Sequence, residues 1–316
     1  MEKERYRDGV TRARALRPRT SQGTAEVGFQ IAWTALAIVA AMRPELWARV
    51  VGELLLFAAI WRWFSLLHTS AHNAVVSGRR GNDLVGLLAS AFALLPYYPW
   101  TETHLAHHQW TGWQGRDPSL AFPTITEAPR SLKATMDVCW RLHVPFFSLY
   151  FIFGKLWKSA STSAAVTRLR PWEIVISYVV LFGVHGGLTA LLGVAYLVAL
   201  APAVLAYLVT SDVVLLNQHS ELEQRIADEG ARPLHPVDHL QHTRSVLLPE
   251  LLSRHVLLRF DWHELHHLYP GVPHYRLAPL RAAVGALPNE IRWNTWLRRA
   301  QKTPGHRLAL SRTEQQ

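Results

Sequence analysis

Residues 263–267 read HELHH, His263-Glu264-Leu265-His266-His267, and two unrelated chemistries fit those five letters. Read as H-E-x-x-H, His263 and His267 hold zinc and Glu264 activates water, as in a membrane zinc protease. Read as H-x-x-H-H, all three histidines are ligands and the chemistry moves to iron and dioxygen. His266 separates the two readings, because only the second gives it a task.

Two more clusters bear on the choice: HTSAH (His68, His72) and HLAHH (His104, His107, His108). On a helix, residues at i, i+3 and i+4 share one side, so each cluster presents its imidazoles together. Neutral imidazole suits first-row metals, and eight histidines suffice for two ions. With seventeen histidines in 316 residues, one H-x-x-x-H is unremarkable. Two H-x-x-H-H clusters plus a third box are far harder to explain as surface or structural histidines. A protease needs only one box and leaves the other two unexplained, and a metal or heme carrier has no need of so many ligands.

The surroundings of the boxes are apolar. The chain is 49% hydrophobic and 18% charged, and residues Ile174 to Ser211 carry no formal charge. That run is too long for one membrane helix of about 20 residues and suits two, with Gly193 at the turn. The first half gives spans at about 27–42 and 46–67, where Glu53 pairs with a neighbour and Arg62 snorkels. The second half gives spans at about 173–192 and 194–216. Shorter aromatic-edged runs at 84–98 and 145–157 read as interfacial helices. The expected fold is therefore an all-α integral membrane protein, four transmembrane helices in two hairpins, with a cytoplasmic helical cap carrying a histidine-rich di-metal site. Residues 1–26 form a basic N-terminal segment, 27–287 the membrane domain, and 288–316 a basic, partly disordered tail.

Net charge is +10, with seven Lys and Arg among the first twenty residues. In a chain with apolar spans this excess points to anionic lipid rather than nucleic acid. Basic residues cluster in 1–20, 78–172 and 220–316, so the positive-inside rule puts both termini and the boxes on the cytoplasmic side. A single cysteine, Cys139, excludes an internal disulfide and a cysteine-ligated zinc or iron–sulfur site. The Arg-rich start has no apolar core or cleavage site and does not read as a signal peptide.

The boxes and their flanks resemble the membrane fatty-acid desaturase and hydroxylase superfamily. HTSAHNAVVSGRRGNDLVG is similar to its first box with the following Asn-Asp-x-x-Gly. PYYPWTETHLAHHQWTGWQGRDP is similar to the second box with a downstream Asp-Pro, and HELHHLYPGVPHYRL to the third. The similarity runs from residue 60 to about 280. The resemblance implies two irons, O2 as co-substrate, and electrons from a separate ferredoxin or cytochrome b5-type donor with its reductase, since no H-P-G-G segment occurs. It implies desaturation of a lipid acyl chain drawn from the membrane into a narrow apolar tunnel, with lipid hydroxylation or carotenoid ketolation as the alternative on the same scaffold.

The resemblance assigns metal ligation to His68, His72, His104, His107, His108, His263, His266 and His267. A ninth ligand belongs after the second hairpin. His219 in LLNQHSE suits it by spacing, and His242 in DHLQHTR is the rival. Asn217 would act through water, and Asp117, Asp261 and Glu264, with Asp83 and Asp238, are candidate partners of the imidazoles or else ordinary surface acids. His185 reads as a packing residue inside its span. The first box has Thr-Ser where many acyl desaturases have Glu-Cys or Asp-Cys, which bears on substrate rather than metal. Under the three-ligand reading, His266→Ala strips metal from the purified protein; under the protease reading it leaves one zinc bound, and elemental analysis separates the two.

Overall fold

The computed structural model describes residues 3–120, 122–157 and 169–313, so residues 1–2 and 314–316 of the expected terminal segments lie outside it. The chain is mostly helical. A short amphipathic helix α1 (Lys3–Ala15) leads into α2 (Thr20–Ala41) and α3 (Leu46–Ala71). A second long pair, α8 (Pro171–Leu192) and α9 (Ala195–His219), follows the middle of the chain. These four helices are long and apolar enough to cross a membrane. The outer faces of α2 and α8 expose Phe29, Leu36, Val39, Val179 and Phe182, apolar surfaces that suit hydrocarbon. Both α3 and α9 run past their apolar stretches to end on histidine clusters, because polar chain buries their last turns.

Helix α3 is the axis of the structure, packing against α2, α4 (Arg79–Ala93) and α9. Gly52 lets the α2 backbone approach it closely, since a Cβ there would stand 2.1 Å from the Ala41 nitrogen. Polar groups along the axis find partners within the protein, as an apolar setting demands. The indoles of Trp61 and Trp63 donate to the hydroxyls of Thr210 (3.0 Å) and Thr34 (2.9 Å). Arg49 pairs with Glu53 at 3.1 Å. Arg62 does not snorkel: it is buried, pairs with Glu26, and donates to Gln30 Oε1 at 2.7 Å. Phe29 and Trp33 offer it ring faces at 5.3 and 5.2 Å. An ion pair between helices is the cheaper solution when the charge faces a neighbouring helix rather than the interface.

The residues after HTSAH show why that loop reads N-D-x-x-G. The Asn82 carboxamide accepts from the Val75 and Val76 amides (2.9 and 3.3 Å) and donates to the Val76 and Gly78 carbonyls (2.7 and 2.8 Å). Asp83 accepts from the Tyr97 hydroxyl at 3.0 Å. Gly86 leaves room for the same Tyr97 ring, which a Cβ would meet at 2.0 Å. Helix α4 then stops at Leu94, left-handed at φ 59, and α5 (Tyr97–Trp110) leaves at 100°. The amides of Leu94 and Leu95 close on the Ala91 and Ser90 carbonyls, and Pro96 bars a continued helix.

Among the described residues, five short strands lie between the shorter helices and loops, so the expected all-α fold needs that correction. Strands β1 (Trp113–Gln114), β2 (Glu223–Ile226) and β5 (Arg312–Thr313) pair in parallel, as do β3 (Val246–Leu247) and β4 (Ile291–Arg292). In two small sheets they staple together loops distant in sequence. The described part of the tail is folded rather than partly disordered. Helix α13 (Trp293–Lys302) buries Trp296 and Ala300 against Trp140 and Leu216, and the Trp140 indole donates to the Ala300 carbonyl at 3.2 Å. One apolar stripe was enough to dock a helix that also carries the exposed Arg298, Arg299 and Lys302. Gly86→Ala is expected to destabilise the protein by about 1–3 kcal/mol through overpacking on Tyr97, read as a lowered melting temperature in detergent.

Candidate metal centre

Four helices deliver imidazoles to one place. His68 lies in the last turn of α3, and His72 caps its end. His104, His107 and His108 lie on α5. His219 is the last residue of α9, and His263, His266 and His267 sit on α11 (His263–Leu268). Ligand atoms of His68, His72, His104, His108 and His266 all lie within 4.8 Å of one another, and so do those of His107, His219, His263 and His267. The second and third boxes thus each serve both groups. His104 and His108 join the five-histidine group while His107 joins the four; His266 joins the five while His263 and His267 join the four.

The nitrogen spacings suit a shared cation. Nε2 of His72 is 2.9 Å from that of His104, and Nε2 of His266 is 2.9 Å from that of His108. His263 Nε2 stands 3.0 Å from both His219 Nε2 and His267 Nε2. Adjacent ligands about 2.1 Å from one ion, at right angles, stand about 3 Å apart. His68 Nε2 is buried among them without a hydrogen-bond partner. One proton cannot satisfy several imidazole pairs meeting at one point, whereas a cation satisfies them together, so the donor set fits two first-row ions.

Groups behind the imidazoles fix how two of them face. His107 Nδ1 lies 2.9 Å from both oxygens of the buried Asp117 carboxylate. His219 Nδ1 donates to the His242 carbonyl at 2.9 Å. Each bond holds the proton on Nδ1 and leaves the Nε2 lone pair for the centre. Burial pulls His72 down to about 3 and His239 to about 4, and holds His263, His266 and His267 well below the usual histidine range. These rings are therefore neutral, the form a metal binds.

Of the candidate partners, Asp117 touches an imidazole and the others do something else. Asp261 accepts from the Ser253 hydroxyl (2.6 Å) and the Leu248 amide (3.1 Å), with burial pushing it up to about 6. Glu264, raised to about 7 by burial, accepts from the Ser245 amide (3.2 Å) and the Asn289 amide (2.9 Å). It ties α11 to the cap instead of facing the histidines, so the geometry a zinc protease needs is absent. Asn217 is buried, and its carbonyl accepts from Arg244 at 3.3 Å. Asp83 serves Tyr97, and Asp238 opens the 3₁₀ turn Asp238–Gln241. His242 stands outside both groups, its Nδ1 donating to the Glu223 carbonyl at 2.6 Å. His185 packs between helices: Nε2 donates to the Ala91 carbonyl (3.0 Å), so Nδ1 accepts from the Tyr196 hydroxyl (2.8 Å).

An apolar cavity of about 210 Å³ opens onto both groups, touching His68, His104, His107, His219 and His263. Phe64, Trp100, Phe147, Tyr207, Leu215 and Phe260 help to line it. Of its polar lining, the Asp212 carboxylate is taken up by the protein, accepting from the Phe147 and Ser148 amides at 3.2 and 2.6 Å. The cavity thus has the two histidine groups at one end and largely hydrophobic walls along the rest, a surface suited to an apolar ligand.

A family model for fatty acid desaturases matches residues 44–299. The chain belongs to the fatty acid desaturase family. It is similar to a probable fatty acid desaturase of Sorghum bicolor, 24% identical over 269 residues, covering 75% of this chain and 62% of that protein. It is also similar to an acyl-lipid omega-3 desaturase (cytochrome b5), endoplasmic reticulum, of Arabidopsis thaliana, at 24% over 275 residues, 78% of this chain and 66% of that one. An sn-1 acyl-lipid omega-3 desaturase (ferredoxin) of Nostoc sp. is 26% identical over 247 residues, 73% of this chain and 65% of the relative. The match thus spans somewhat under two thirds of these desaturases' own length.

Sequence reasoning passed over His239, which lies three residues before the weighed His242. The signal was present in DHLQH, two histidines at i and i+3 near the third box, but polarity alone does not say which one turns inward. Asp117→Asn is expected to weaken metal binding at the four-histidine group about 10–100-fold by freeing the His107 ring, measured by chelator competition on the folded protein.

Proposed function

We propose that this family member is an O2-dependent di-iron oxidoreductase of the membrane that introduces a C=C bond into a lipid acyl chain. The observation that carries the reading is the convergence of nine imidazoles, in groups of five and four, at the end of an apolar cavity. His68, His72, His104, His108 and His266 would hold one iron and His107, His219, His263 and His267 the other. When bound, the irons supply O2 activation and removal of hydrogen from an unactivated C–H bond.

The protein's own residues do the rest. The apolar cavity walls would enclose the chain and keep water from the reacting carbons. His107 is kept in its ligating tautomer by Asp117, and His219 by the His242 carbonyl. Overall, two hydrogens leave adjacent carbons, O2 becomes two waters, and two electrons and two protons come from outside. The electrons would come from a separate ferredoxin or cytochrome b5-type donor, a reading supported by relatives whose names carry those two donors. Acyl-lipid substrates have the same support.

The four long helices would cross the bilayer as two hairpins, with both termini, the cap and the metal pair on the cytoplasmic side. The basic residues of the N-terminal segment and the cap favour that side, where anionic lipid lies. Expressed with a reducing donor in a host of defined lipid content, the protein should add a double bond to membrane acyl chains, and His104→Ala should abolish it. A new hydroxyl or keto group in lipid profiles would shift the reading to a hydroxylase or ketolase, and unchanged lipids with iron-loaded protein would overturn it.

A further inference from the structure

Just before the third box, the short helix α10 (Glu250–His255) turns apolar side chains away from the protein. Leu251 is 70% exposed and Leu252 42%, while Ser253 next to them is buried. Leu251, Arg254 and His255 stand at i, i+3 and i+4, so one side of the helix carries a leucine with two basic neighbours, all three exposed. Facing water, two such leucines are a liability. At a headgroup layer they fit, because leucine enters the acyl boundary while the basic side chains meet phosphate.

Contacts with α3 and α2 set the level at which α10 sits. The Arg62 guanidinium donates to the His255 carbonyl, and the Ser65 hydroxyl donates to the Leu257 carbonyl at 2.8 Å. The same guanidinium donates to Gln30 Oε1 and lies 5.3 Å from the centre of the Phe29 ring. Phe29 is exposed on the outer face of α2, with Ile31 and Leu36 beyond it, whereas the turns before it carry Ser21, Gln22, Thr24 and Glu26. The apolar outer face of α2 therefore begins at the level of Arg62, and the last residue of α10 stands at that level too. Leu251 and Leu252 are about one helical turn away from it.

The same short helix is braced against the third box. Ser253 donates its hydroxyl to Asp261 at 2.6 Å, and the Leu248 amide donates to that carboxylate at 3.1 Å. The Arg259 amide donates to the Ser253 carbonyl at 2.8 Å; its guanidinium pairs with Glu250 and lies 4.3 Å from the Trp262 ring centre. Trp262 directly precedes His263, so whatever fixes the height of α10 also fixes the start of α11. We propose that α10 is a membrane-surface foot, with Leu251 and Leu252 inserted below the headgroups of the leaflet on the cap side and Arg254 and His255 at the lipid phosphates. Lipid rather than a protein partner occupies this face because the face lies level with the start of the apolar surface of α2. The inference rests on the reading of the four long helices as membrane spans.

The test uses the full chain in lipid nanodiscs, with Cys139→Ser removing the native thiol and a nitroxide attached at one introduced cysteine. Leu251→Cys is compared with Leu36→Cys on the outer face of α2 and with Arg298→Cys on α13. Collisions of the label with O2, which concentrates in hydrocarbon, and with a nickel chelate, which stays in water, are read by power saturation of the EPR signal. The O2-to-nickel ratio at Leu251→Cys should stand several-fold above that at Arg298→Cys and approach that at Leu36→Cys. In the unsubstituted chain, lipids carrying a diazirine near the top of the acyl chain should label the 250–255 peptide. A ratio equal to that at Arg298→Cys, or an unlabelled 250–255 peptide, overturns the inference. So does a label open to nickel in bare nanodiscs and shielded only when reduced ferredoxin or cytochrome b5 is added, which marks a protein-docking face. A Leu36→Cys label that also reports water overturns the membrane reading and this inference with it, whereas Leu36→Cys in hydrocarbon with Leu251→Cys in water overturns the inference alone.

Discussion

Nine imidazole nitrogens aimed at two points a few ångströms across form an unstable arrangement unless cations occupy those points. Each nitrogen brings a lone pair, most have lost water, and few have a protein donor to meet them. The scaffold must hold them there against mutual repulsion, and that demand explains much of the fold. Helices α3 and α9 overrun their apolar stretches to deliver His68 and His219. The 100° break between α4 and α5 turns the second box inward. Short parallel strands tie loops remote in sequence to one another. Burial at the end of an apolar bundle also keeps the rings neutral, which a charged cluster could not be.

The division of labour within each box follows from helix geometry. On an α-helix, positions i+3 and i+4 lie about 100° apart on either side of i. An H-x-x-H-H triplet therefore cannot aim all three rings at one ion without strain, but it straddles two sites well. The structure uses that angle twice, with the pairing reversed: the i and i+4 rings of α5 meet the middle ring of α11, and the reverse. Interlocking of this kind makes each site depend on both helices, so neither box can drift without disturbing both groups.

How much of this could be read in the letters depends on range. The box histidines and the apolar runs were legible because both signals are local, one a spacing of three or four residues and the other a run of about 20. Asn82 and Gly86 were visible as a motif, though not as a clamp on Val75 and a seat for Tyr97. Arg62 was misjudged because its answer, Glu26 and Gln30, lies on another helix. The tail was misjudged because basic composition hid the Trp296 and Ala300 stripe. The split into five and four was invisible, since it depends on how α5 and α11 roll against each other. His239 and His242 differ only in which way a 3₁₀ turn faces, and no local pattern encodes that.

HELHH shows where such roll becomes chemistry. With His263 and His267 facing the centre, Glu264 lies on one flank of α11 and His266 on the other, by the same angular arithmetic. A protease would turn the glutamate flank toward the metal; here the helix is turned the other way. His266 meets His108, and Glu264 is taken up by the Ser245 and Asn289 amides. That choice is enforced from outside the helix, by backbone donors that give a buried carboxylate its only good setting. Two amides, one from residue 245 and one from residue 289, thus hold Glu264 away from the histidines and leave His266 with the five-histidine group. The Asn289 side chain also donates to the Leu240 and Thr243 carbonyls, so the residue that helps set the roll of α11 also ties down the turn that carries His239.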